Sequence, residues 1–144
     1  MKHPFATPAH LSPDLTRVQA YWRGLLRGEA KIPFWDDATL SDLPDLTDRL
    51  FLIDVFQDPE RFRFAQVGAA IGGQELGGRF LDETDLAWPF AFLRSQSSAT
   101  IEAAAPTCFR REDPAPQGRS YSRLLLPMWG DGHVSMLLGA VDFG

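Results

Sequence analysis

LFLIDVFQDPERFRFAQV, residues 50–67, is the stretch that decides the fold. Its opening run, Leu50 to Phe56, is apolar except for Asp54. Alternation sets Phe51, Ile53 and Val55 on one side and Asp54 on the other, as in a strand with one face toward a core. Asp58-Pro59-Glu60 interrupts the run with turn-forming residues. Arg61 to Val67 then alternates again, with Phe62, Phe64 and Gln66 on one face and Arg61 and Arg63 on the other. Two strands around so short a connection form an antiparallel hairpin.

The flanks extend this hairpin into a sheet. GAAIGGQELGGRFLDE, residues 68–83, holds glycine at 68, 72, 73, 77 and 78, which predicts short helical turns and tight bends. Asp85 is a candidate cap for a helix over about residues 86–99, with Pro89 in its first turn. Strands are expected over about 106–112, 119–128 and 134–143, and Asp131-Gly132 is a hairpin signal between the last two. Upstream, residues 31–49 read as an irregular linker with one short helical piece, where Leu40, Leu43 and Leu46 recur but Pro44 limits regularity. Ser12-Pro13-Asp14 is a helix start: a capping hydroxyl, a first-turn proline and an acid at the positive end of the dipole. Leu15, Val18, Trp22 and Leu25 follow at helical spacing, Tyr21 and Leu26 widen the stripe, and Gly28 ends a helix over about 13–27. Residues 1–11, with Pro4 and Pro8, read as a loose arm. The expectation is one α+β domain over 12–144, a five-stranded antiparallel sheet with helices on one face and an N-terminal helix.

Several blocks also carry a family resemblance. They are Tyr21-Trp22 ahead of Gly28 and Pro33, LFLIDV at 50–55, RFRFAQVG at 61–68, GGRFLDE at 77–83, RLLLPM at 123–128, DG at 131–132 and LLGAV at 137–141. In this order and spacing the chain resembles a bacterial family of short, stand-alone PAS-like domains, over about residues 15–143. The resemblance implies a PAS-like fold (two strands, a helical stretch, three strands) and a sensory role without an attached kinase or cyclase. It implies no catalytic residues. The Gly68–Gly78 segment, which walls the ligand cavity in a PAS fold, is shorter than the family pattern, which leaves the cavity's size open.

Composition narrows the functional classes. The chain has 144 residues, 44% of them hydrophobic, which suits one domain with a substantial core. The net charge is −5 and the pI about 5.1, so no basic face for nucleic acid is expected. Arg110-Arg111 runs straight into Glu112-Asp113 and reads as a solvated charged turn. The single cysteine, Cys108, excludes an internal disulfide and any cysteine-rich zinc site. No signal peptide and no run of about 20 apolar residues is present, so a cytoplasmic, membrane-free protein is expected.

Candidate binding residues follow from side-chain parity. A buried amide needs hydrogen-bond partners, so Gln66 on the Phe62–Phe64 face singles itself out. A cavity wall is expected from Phe62, Phe64 and Gln66, the helix carrying Trp88 and Phe92, and Met136 and Leu138 of the last strand. Haem is not expected on this reading, because His3 and His10 lie in the arm and His133 in a turn. Flavin photochemistry lacks its cysteine motif, and Cys108 reads as a small core residue. The glycines form neither GxGxxG nor GxxxxGK[ST], and no GxSxG elbow supports a triad. With no output domain in the sequence, a signal would pass through a homodimer or a separate signalling protein, and Tyr21, Trp22 and Leu25 of the first helix are the expected dimer contact. Two alternatives stand beside the sensor: a ligand-free dimerisation or adaptor domain, and a cone-shaped α+β enzyme using Asp54 in a deep pocket as a base.

Overall fold

The computed structural model describes residues 5–112 and 120–143. Residues 1–4, with His3 and Pro4 of the arm, lie outside them. So do residues 113–119, with Asp113 of the charged turn and the expected strand start at 119, and residue 144.

The first helix, α1 (Pro13–Gly24), begins where the cap residues place it. The Ser12 hydroxyl accepts from the Leu15 N–H at 3.4 Å, and Pro13 sits at the first helical position. The helix stops at Gly24, short of the expected 27. Glycine is a poor helix former, and the chain tightens beyond it, Leu26 N–H donating to Arg23 O. The 31–49 linker holds three single turns, at 35–37, 40–42 and 47–49, where one was expected.

The hairpin of strands β1 (Leu50–Phe56) and β2 (Arg61–Val67) forms with the expected bounds. Three further short turns, at 69–71, 73–75 and 81–83, occupy the glycine-rich stretch, with Gly72, Gly73 and Gly78 at positive φ. The second helix is displaced. α2 spans Leu93–Ala103 rather than 86–99. Trp88 precedes proline and so disfavours helix, and Phe92 takes a left-handed conformation (φ 60°, ψ 20°) at the N-cap. The carbonyls of Pro89 and Ala91 accept from the Arg123 side chain. A long-range contact thus holds 84–92 out of the helix.

Strands β3 (Thr107–Arg111), β4 (Tyr121–Gly130) and β5 (His133–Phe143) complete one antiparallel sheet in the order β2-β1-β5-β4-β3. Asp131 and Gly132 both take positive φ, as the tight β4–β5 hairpin requires. Helices cover both faces of this sheet. α1 packs Leu15, Val18 and Trp22 on the face of Leu52, Leu124, Leu126 and Leu138. α2 and the 69–90 segment cover the opposite face, where Phe51, Phe64, Phe90 and Leu93 form the core with Leu125 and Leu137.

Candidate functional site

The inward stripe of α2 is unusual for a small domain. Leu93, Gln96, Ser97 and Thr100 recur at helical spacing and are all buried, yet only the first is apolar. Buried polar groups need partners, because an unmade hydrogen bond leaves the desolvation cost uncompensated. Thr107 of β3 and Arg123 of β4 supply most of them. Gln96 Nε2 donates to Thr107 Oγ1 at 3.1 Å and to the Arg123 carbonyl at 3.2 Å. The Thr100 and Thr107 hydroxyls lie 2.6 Å apart, and Thr100 also donates to Gln96 O at 2.8 Å.

Arg123 is the centre of this cluster. Tyr121, Arg123 and Leu125 alternate along β4 toward α2, so the guanidinium enters the core with 0% exposure. Its Nε donates to Gln96 Oε1 at 2.8 Å, and its terminal nitrogens donate to Pro89 O and Ala91 O, each at 2.9 Å. The Phe109 ring lies against it, 4.9 Å from the guanidinium carbon to the centroid. Among the described residues it makes no ion pair. Burial pulls its pKa down to about 10, with the neighbouring Tyr121 pushing the other way. Two hydroxyls in this region, Ser97 Oγ and Tyr121 Oη, are buried with no acceptor for their protons among the described residues.

The expected cavity residues do not come together as one wall. Phe62 and Phe64 do face the α2 side, within the core. Gln66 is exposed instead. Leu52 pairs with Gln66 and Ile53 with Phe64, so β2 carries an extra residue at Ala65, and this bulge breaks the alternation. Met136 and Leu138 belong to the α1 face, on the other side of the sheet from Phe64. Trp88 lies outside α2, 38% exposed, stacked on Phe143 at 5.1 Å and edge-on to Tyr121 at 6.1 Å. Phe92 is 60% exposed. The space between them is filled by Phe51, Phe64 and Phe90, whose ring centroids lie 5.1–6.4 Å apart in edge contacts.

The expected dimer contact is also largely used within the chain. Trp22 is 4% exposed, and its indole N–H donates to Pro127 O at 2.8 Å. The Tyr21 hydroxyl donates to Asp42 Oδ2 at 2.8 Å and accepts from Thr39 N–H at 2.9 Å, and Leu25 packs at the edge of the same core. Asp54 faces away from Phe51, Ile53 and Val55, as its parity predicts, and accepts from Arg63 at 2.8 Å on an open cleft. That cleft measures about 400 Å³ and is lined by Trp35, Arg63, His133 and Met136 beside Asp54. Cys108 is buried, which pushes its thiol pKa up and away from the reactive thiolate. His133 stands at the β4–β5 turn and His10 is exposed.

Parity alone could have found Arg123, since Tyr121-x-Arg123-x-Leu125 places it in phase with two core residues. Thr100 lay just beyond the expected helix of 86–99, while Gln96 and Ser97 lay within it. No family model, curated protein or solved structure matches this chain, so the cluster is read from its own chemistry. Among the described residues, no group of three His, Cys, Asp or Glu side chains gathers to hold a metal ion, and no helix is long and apolar enough to cross a membrane.

Proposed function

We propose that this chain is a PAS-like sensory domain, which binds a small amphipathic ligand between the sheet and α2 and signals through contacts with a second protein or a second copy of itself. The observation that carries the reading is the buried polar cluster around Arg123. An interior built only for packing has no use for a guanidinium, an amide and three hydroxyls at zero or near-zero exposure. Two further supports are the element order along the chain, two strands, a helical stretch and three strands, and the family blocks in the sequence. Both helix layers rest on the same sheet, so a change beneath α2 reaches α1 through strands β4 and β5.

The test is native mass spectrometry of the purified protein beside its denatured mass. A retained small molecule of discrete mass, lost on denaturation, is the expected result. A bare chain, also unresponsive to a panel of amphipathic compounds, overturns the reading. That outcome would favour the ligand-free adaptor, which the filled Phe51–Phe64–Phe90 core supports.

A further inference from the structure

Arg123 is a buried cation whose described neighbours are neutral acceptors. A charge removed from water without a counter-ion is costly, and carbonyl dipoles offset the loss only in part. Its two terminal nitrogens each reach one carbonyl oxygen, Pro89 O and Ala91 O, both at 2.9 Å. Paired oxygens on the two ends of one guanidinium are also the arrangement that a carboxylate offers, with the charge added. The Tyr121 hydroxyl lies on the same side of the sheet as the guanidinium and helps to raise its pKa, yet among the described residues its own proton has no acceptor. It is therefore a spare donor at the site of an under-compensated cation.

The carbonyls come from a segment without helix or strand. Residues 84–92 hold no regular structure, and Trp88 and Phe92 are exposed. Phe90 and the two carbonyl bonds to Arg123 anchor it inward, and ring contacts of Trp88 with Phe143 and Tyr121 and of Phe92 with Phe109 hold its outer side. A cleft of about 290 Å³ opens between this segment and the 69–76 turns, lined by Ile71, Leu76, Leu86, Trp88 and Pro89 among others. Pro89 thus borders the cleft on one side and binds Arg123 on the other. The cleft's size is near the lower end of small-molecule sites, about 300 Å³. Glu75 and Asp85, both exposed, stand at its mouth. They oppose a multiply charged head group more than a single carboxylate.

We infer that Arg123 and the Tyr121 hydroxyl anchor the carboxylate of a singly charged amphipathic ligand, which replaces the Pro89 and Ala91 carbonyls and lays its apolar tail in the cleft beside Trp88. This rests on the sensor reading and names the ligand class for it. Ligand entry then frees the 84–92 segment, which gives the site an output on the surface.

The experiment titrates the full chain with octanoate and, separately, with 1-octanol, by calorimetry at pH 8. Octanoate should bind saturably and about tenfold more tightly than the alcohol, the difference that one charge-assisted contact of about 1.4 kcal/mol makes. Tyr121→Phe is the decisive variant, because it removes a hydroxyl whose proton has no acceptor among the described residues and keeps the ring. Its thermal midpoint without ligand should equal or exceed that of the parent chain, while its octanoate affinity falls several-fold and its octanol affinity holds. Equal binding of octanoate and octanol, or unchanged octanoate binding in Tyr121→Phe, would overturn the carboxylate anchor and leave the sensor reading standing. Failure of both compounds, together with a bare native mass, would remove both.

Discussion

Gly139 lies opposite Phe51 in the β1–β5 ladder, and the Phe51 ring folds directly over it. A Cβ at this position would run into that ring, so Gly139→Ala should destabilise the fold by about 1–3 kcal/mol, the usual cost of overpacking, read from the urea midpoint. Arg123→Met tests the other buried extreme. It removes the charge but leaves Pro89 O, Ala91 O and Gln96 Oε1 without their donor. Three orphaned acceptors at roughly 1 kcal/mol each outweigh the relief, so a net loss of about 1–2 kcal/mol is expected. Hydrogen exchange should locate that loss in the first turn of α2. A smaller loss spread evenly over the sheet would contradict the clamp. Gln66 shows why single residues resist reading: one extra residue at Ala65 turns it outward, and no periodicity in RFRFAQV announces the bulge.

The elements that were legible are those whose signals are local. β1 and β2 begin and end at their turn residues, and α1 starts at Pro13 because the capping Ser12 and the proline stand side by side. Ser12→Ala should lower stability by about 0.5–1 kcal/mol, near the lower end for such caps given the 3.4 Å contact. α2 was misplaced because its start depends on Arg123, more than 30 residues away in sequence from Pro89. The connection between β2 and the turn at 81–83 offers a pH test. Arg61 donates to Asp82 at 2.8 and 2.9 Å, which holds the Asp82 carboxyl below its usual 3.8. A carboxylate with a depressed folded-state pKa adds stability that is present above its unfolded value and lost as the pH falls through the folded one. The stability difference between the parent chain and Asp82→Asn should therefore be full at about pH 6 and shrink below about pH 4. A difference that stays constant down to pH 2 would show that Arg61 does not hold this carboxylate.

Across the whole molecule, both outer strands are partly covered by the chain itself. Phe64 of β2 exchanges backbone hydrogen bonds with Gly78 and Arg79. On the far edge, Cys108 N–H donates to Phe5 O at 2.9 Å, and the Phe5 ring rests 6.2 Å from that of Phe109. The expected arm is therefore tied to β3 at Phe5. Open strand edges recruit other chains, so deletion of residues 1–9 should raise concentration-dependent light scattering while the tertiary signal persists. The α+β class and the five-stranded sheet were legible because each depends on alternation and turn residues summed over many positions. The polar interior was not, because it arises where β4 meets α2, far apart in sequence. One local contact has an optical consequence. Trp88 stacks on Phe143, 5.1 Å between centroids and 18° between planes, and belongs to the segment that Arg123 grips. A ligand that loosened that grip would change the indole's surroundings, and with them its emission. The protein thus contains a fluorophore of its own at the point where a ligand would register, and needs no attached dye to report one.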